Sequence, residues 1–466
     1  MTRERGGVRV CSLAGDLGFG FPPESLKRAL RLKPHVIAVQ GTSADPGPYY
    51  LGAGESWYTI GGIRRDLEVL LPAAKKARIP VVTSAGGAGA KVQVDPIVAT
   101  VADVARQQAL SLRTAVIRAD VSPAYLKRRI AQGVEIKPVV DWPMLSDPLR
   151  LADVARSVRI VAQMGPEPIM RVLRDDVDLV LAGRTVDVSL FTALPLLRGC
   201  DPGLATHMAK ILECGAMAAV PSTGADGLIG TLYDDHFTIE PLSLERRCTV
   251  RSVAAHSFYE RADPYIDRLP GGVLDTSEAV YTQVDERTVR VSGSRWMPAT
   301  PYTVKLEGAE QVGYRTVCLA GIRDSIMIEQ IDGILDGARR DLAMRFGPEG
   351  KDYHLTFRVY GRDGIMGAAE PERGRPAHEL FLLMDVVAES QPLAREVCAF
   401  CRAYVLHTEF PGCRTSAGNL AFPLSPSEVP VGPVYRFNIW HLLPVGDPVK
   451  LFAVEIHTFG GRRSRK

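Results

Sequence analysis

No stretch of this sequence approaches the roughly 20 consecutive apolar residues that a membrane-spanning helix needs, so no span is expected. The opening MTRERGGVRVCSLAG carries charge but no long apolar core, which predicts no secretory leader and a cytoplasmic setting. Charge of one sign is not in excess either. The 56 Lys and Arg against 53 Asp and Glu leave a net charge of +3, which gives no long-range attraction for nucleic acid. The run Arg462-Arg463-Ser464-Arg465-Lys466 is basic but short, and reads as a solvated tail. The eight cysteines are scattered and form no disulfide framework. Cys398 and Cys401 make a CxxC, but inside PLAREVCAFCRAYVL, which has helical periodicity, and no second ligand pair completes a zinc site. HExxH is missing, and no metal is assigned. GxSxG, Walker A and GxGxxG are missing too, which argues against an α/β-hydrolase, a P-loop enzyme and an ordinary dinucleotide-binding enzyme. Nothing in the sequence names a cofactor.

What is present is a chain of 466 residues with 46% apolar content, enough for two or three domains and a sizeable core. The first 220 residues alternate strand-like and helix-like segments. VRVCSLA, HVIAVQG, IPVVTSAGG, RTAVIRAD and VDLVLAGR read as strands. SLKRALRL, RRDLEVLLPAAKKAR, DPIVATVADVARQQAL and PEPIMRVLRDD read as helices. The alternation predicts an α/β fold with a mostly parallel sheet covered by helices. From about 221 to 320 short β-like runs follow, among them DHFTIEPL, CTVRSVAAH and AVYTQVDERTVRVSGSRW. After a long helical stretch, FGPEGKD (346–352) reads as a linker. Four strands and a helix then suggest a smaller α+β, ferredoxin-like domain. The expected organisation is 1–345, with the β-rich part inside it, and 353–460.

Ligands in parallel sheets bind beyond the carboxyl ends of the strands. Three polar or glycine-rich loops follow strands here: Gly41 to Asp45, Thr83 to Gly89 and Gly183 to Asp187. Ser84, Gly86, Gly87 and Gly89 could cradle a phosphate or carboxylate on bare backbone N–H groups; a tight turn without a ligand is the other reading. Arg184 suits a bidentate clamp on an anion, or a pair with Asp187 that closes the loop. Asp45 joins this rim. In DPGLATHMAKILECGA, Asp201 reads as an N-cap with Pro202 at the first helical position. His207, Lys210 and Cys214 then share one helical stripe. A base, a cation and a thiol there suit acid–base or nucleophilic chemistry; a half-buried helix packed through small residues explains them too. Arg414, Thr415, Ser416 and Asn419 offer donors on a long polar loop, for a ligand or for a subunit contact.

ADPGPYYLG, SAGGAGA, IVAQMGPEP, AGRTVD, HMAKILECGA, GTLYDDHFTIEPL, RRCTVRSVAAHS, YGRDGIMG and PGCRTSAGNLAFPLSPSE together resemble the acyclic terpene utilisation (AtuA) family. The resemblance covers nearly the whole chain and is to a long form whose C-terminal part is an AtuA-like ferredoxin-fold module. It implies a cytosolic catabolic setting in which CoA thioesters are degraded. The expectation is an enzyme of lyase or hydratase type, without a redox cofactor, acting on a small carboxylate or acyl-CoA. His207, Lys210, Asp187 and Cys214 are its catalytic candidates. Asp45, Ser84, Gly86, Gly87, Gly89, Arg184, Arg414 and Asn419 are its binding candidates. The alternative is a non-catalytic ligand-binding subunit of a catabolic complex. A homo-oligomer, with or without a small partner subunit, is expected; nucleic acid and membrane partners are not.

Overall fold

The computed structural model describes residues 7–139, 145–415 and 417–461. Ser416 and the basic run 462–466 lie outside them. Packing divides the chain into two units, residues 1–310 with 437–466, and residues 311–436. The chain leaves the first unit within the strand Thr303–Ile322 and returns within Glu428–Pro444.

A ten-stranded mixed sheet organises the first unit. Its strands are β1 (Val8–Asp16), β2 (Val36–Gln40), β3 (Val81–Ser84), β4 (Ser111–Ile117), β5 (Leu179–Ala182), β6 (Leu228–Leu232), β7 (His236–Pro241), β8 (Val280–Gln283), β9 (Val289–Ser292) and β10 (Val454–Gly460). Across the sheet they run β8-β9-β7-β6-β1-β2-β3-β5-β4-β10. The central five, β1-β2-β3-β5-β4, are parallel. The flanking strands pair antiparallel to their neighbours.

Apolar residues line both faces of the parallel strands, as a sheet covered on both sides requires. Val36, Ala38, Val82, Val180 and Ala182 belong to one core. Ile37, Val39, Val81, Leu179 and Leu181 belong to the other. Helices Ile60–Ala77 and Lys91–Gln107 cover the second face through Leu67, Leu70, Ile97 and Val101. Helices Ser189–Leu197 and Pro202–Leu212 cover the first through Phe191, Leu194, Met208 and Ile211. One β-like run is corrected: CTVRSVAAH forms the helix Val250–Ser257 after a short bridge at Arg247–Cys248. Its β-branched valines suggest a strand, but the Thr249 side chain accepts from Ser252 N and starts a helix.

In the second unit Leu380–Ala388 is the middle strand. It pairs antiparallel with Tyr353–Tyr360 on one side and with Tyr314 to Ile322 on the other. Helices Ile331–Phe346 and Gln391–His407 share one core with this sheet, including Leu335, Leu342, Leu382, Met384 and Val397. Cys318, Cys398 and Cys401 are buried in that core. Among the described residues no helix is long and apolar enough to cross a membrane.

Candidate active site

The three loops that follow β2, β3 and β5 meet at one rim of the parallel sheet. Thr42 bridges to Gly87, Ser43 N donates to Gly87 O at 2.9 Å, and Gly87 N donates to Gly41 O at 3.0 Å. Ser84 Oγ accepts from Gly41 N at 3.0 Å and from Thr42 Oγ1 at 3.1 Å. The loop from Ser84 to Ala90 is buried throughout. Its glycines allow backbone to approach backbone: a Cβ on Gly89 (φ +71) would stand 2.2 Å from Arg184 N. One on Gly87 (φ +72) would stand 2.9 Å from Trp57 N, and one on Gly86 2.7 Å from Gln93 Cβ. The amides of Ala85, Gly87 and Ala90 are bonded to Ala182 O, Gly41 O and Gln93 Oε1. These glycines therefore hold the neighbouring loops together.

Arg184 is clamped on the protein itself. Its Nε and Nη2 donate to Glu307 Oε2 and Oε1 at 2.9 and 3.1 Å, and Nη1 donates to Thr42 O and Thr185 O at 3.1 Å. Glu307 also accepts from Gln163 Nε2 at 2.8 Å and pairs with Lys305 at 3.2 Å. Burial opposes its charge, but Arg184 and Lys305 overcome that and hold Glu307 down at about 2. Lys305 Nζ lies 3.8 Å from the centre of the Trp440 ring. The free end of this network is Asp187, 3.5 Å from Arg184 Nη1 with 31% of its side chain open. Burial raises its pKa against the pull of Arg184 and Lys210.

Asp16, at the carboxyl end of β1, stands in the same field. Burial pushes it up to about 7, helped by the charges of Asp187, Asp45 and Glu260 and opposed by the neighbouring Tyr58 hydroxyl. Asp16 Oδ1 and the Tyr58 hydroxyl are buried, and neither makes a hydrogen bond. The loop after β1 is fixed by Leu17 N on Gln40 O at 2.7 Å and by Asp66 Oδ2, which accepts from Gly18 N at 2.7 Å. Phe19 and Trp57 pack on Tyr58 with ring centres 5.4 and 4.9 Å away, and both are exposed. No motif surrounds Asp16. Its signal is positional, an acid ending a strand within the glycine-bearing GDLGFG, by the same rule that marks the other three loops.

The stripe on Pro202–Leu212 divides. Asp201 caps this helix, accepting from Leu204 N at 2.8 Å. His207 is fully buried; its Nδ1 lies 2.7 Å from Ser294 Oγ and its Nε2 3.0 Å from Ser257 Oγ. Burial, with Arg261, lowers it to about 3, so the ring is neutral at ordinary pH. Lys210 Nζ meets Glu213 Oε1 at 2.5 Å, and Glu213 holds it protonated against burial. Cys214 lies past the end of the helix at Leu212. Its backbone packs on Gly15, and burial with the Glu213 charge raises the thiol pKa, which keeps it protonated. Asp45 is exposed on the loop after β2, where its amide donates to Ser43 Oγ. Arg414 and Asn419 belong to the second unit. Arg414 is exposed, and Asn419 Nδ2 donates to Val405 O and Thr408 O at the end of the helix Gln391–His407. Among the described residues no group of three or more His, Cys, Asp or Glu is placed to hold a metal ion.

A family model described as acyclic terpene utilisation family protein AtuA matches residues 56–220 and 237–424, most of the chain. The chain belongs to the AtuA family. Membership points to a role in acyclic terpene utilisation. In this AtuA-family chain the matched residues include Tyr58, the glycine loop, Arg184, Asp187 and Lys210, while Asp16 and Asp45 precede the match. No curated protein and no solved structure matches the chain.

Proposed function

We propose that this AtuA-family chain is an enzyme of lyase or hydratase type that transfers protons with Asp16 and Asp187. The observation that carries the reading is Asp16, a half-buried carboxyl with its Oδ1 shielded from solvent, pushed up to about 7 beside Tyr58 at the rim of the parallel strands. A group with a pKa near the working pH both gives and takes protons efficiently. Two carboxyls in different surroundings can divide the roles. Asp16 suits the acid. Asp187, held beside Arg184, suits the base, and Arg184 acts as its positioning residue. In a hydration, Asp187 would take a proton from water as its oxygen bonds one alkene carbon, while Asp16 would give a proton to the other. The surrounding acids disfavour a free carboxylate at the reacting end and favour the uncharged thioester of an acyl-CoA. His207, with both ring nitrogens engaged in the core, serves the fold in this reading. A cytoplasmic setting and a homo-oligomer fit it. The strand–helix alternation after residue 353 supports a ferredoxin-like module for contact with a partner subunit.

The test is turnover of branched acyl-CoA thioesters and the matching free acids in D2O, read as deuterium incorporation by mass spectrometry. Asp16→Asn should lower kcat at least about 100-fold, within the range general acid catalysis supplies, and leave KM within about threefold. Wild-type protein that binds a thioester but never exchanges or hydrates it would favour the non-catalytic subunit.

A further inference from the structure

A cavity lies in the first unit, lined by other residues than the acid rim. It has a volume of about 180 Å³ and is walled by Val188, Leu196, Leu269, Trp296 and Tyr302, with Glu167 on its lining. An apolar cavity of about 150 Å³ takes a benzene-sized molecule, so this one suits a body of about six heavy atoms. The lining contains no Lys, Arg or His. The hydroxyls of Thr192 and Thr206 donate back to Val188 O and Pro202 O of their own helices, at 3.1 and 2.7 Å. The polar end is Glu167, whose Oε2 accepts from Tyr302 Oη at 2.6 Å. A carboxyl has further acceptor sites, so one more donor can be received there. Gly165 makes this pair possible, since a Cβ on it would lie 2.2 Å from Tyr302 Oη and 2.7 Å from Glu167 Oε2.

We propose that this cavity binds a small uncharged alcohol, its branched or cyclic hydrocarbon against Leu196, Leu269 and Trp296 and its hydroxyl on Glu167. A carboxylate is excluded because it would face Glu167 with no cation to receive it. An ammonium group brings three donors, and the lining offers them one carboxyl that Tyr302 Oη already engages. The site does not depend on the acid–base reading of Asp16.

The test is isothermal titration of the full chain with 3-methylbutan-1-ol and cyclohexanol. Saturable binding is expected, at least about tenfold tighter than that of the corresponding methyl ethers, which lack the donor; one hydrogen bond is worth about that factor. Leu269→Trp and Val188→Phe each fill the cavity and should weaken binding at least tenfold; two variants are used so that one folding failure decides nothing. Asp16→Asn should leave alcohol binding unchanged, so that loss of turnover and loss of this site are separate results. No saturable heat with either alcohol, or binding that survives both filling variants, overturns the proposal. Tighter binding of 3-methylbutylammonium than of the alcohol also overturns it and makes the cavity a cation site.

Discussion

At the scale of single residues, Asp16 costs stability when it ionises, and the pH dependence of stability reads that cost. Its folded pKa is raised from 3.8 to about 7. Between those values the folded protein holds a proton that the unfolded chain has released, so this group's contribution to stability falls as pH rises from about 4 to 7. Above 7 the buried charge costs its full amount. Asp16→Asn removes that cost and keeps the shape, so its melting temperature should gain on the wild type by a few degrees between pH 4 and pH 8. A gap that stays constant or narrows with pH would place Asp16 in ordinary solvent. The glycines make a second residue-scale contrast. Gly89 and Gly133 have nearly the same backbone, φ +71 and +76, but only Gly89 has a neighbour in the way. Gly133→Ala should cost about 1–2 kcal/mol, the left-handed penalty alone. Gly89→Ala must also displace Arg184, and should cost upwards of about 4 kcal/mol. Denaturant melts of the two variants decide it.

At the scale of elements, local pattern was readable and pairing was not. HVIAVQ, IPVV, RTAVIRAD and VDLVLA announce β2 to β5 because strands buried on both faces read as unbroken apolar runs. The rim followed from them, since loops after parallel strands share one edge. The antiparallel extension through β6, β7, β9 and β8 joins this same sheet by hydrogen bonds that leave no trace in composition. Similarly, β10 pairs with β4, more than 300 residues earlier in the chain. Partners hid site chemistry too. Arg184 reads as an open clamp because Glu307, which closes it, lies 123 residues away on another strand. Glu307 joins Arg184, Lys305 and Gln163, and removing its charge leaves a buried and a half-buried cation short of a partner. Glu307→Gln should therefore destabilise by about 3–5 kcal/mol. The wild-type contribution is complete above the ordinary pKa of 4.5 and is lost as pH falls toward about 2. The gap between Glu307→Gln and wild type, measured by urea melts, should narrow below pH 4. A gap that is flat with pH would mean the pair contributes through packing alone.

At the scale of the whole molecule, the chain carries separate cores. Two lie on the faces of the ten-stranded sheet, and the third belongs to residues 311–436. The candidate acids Asp16 and Asp187 stand on the first unit, so a lesion in the third core need not reach them. Leu382 is fully buried on the middle strand of the second unit, among Leu335, Met384 and Val397. Leu382→Ala removes that packing and should cost the second unit about 2–5 kcal/mol. If the units melt as separate cooperative blocks, calorimetry of the wild type shows a calorimetric enthalpy above the van't Hoff value. The variant then lowers one transition and leaves the other in place. The deuterium incorporation proposed for the Asp16 site, assayed below the lowered transition, should be kept within about twofold, since a core change in one block leaves the other block's folding equilibrium near its wild-type value. A single transition that shifts as a whole would show that the chain folds as one unit. The second unit would then be a structural requirement of the acid rim, and substitutions in the third core would report on the candidate site as directly as those beside it.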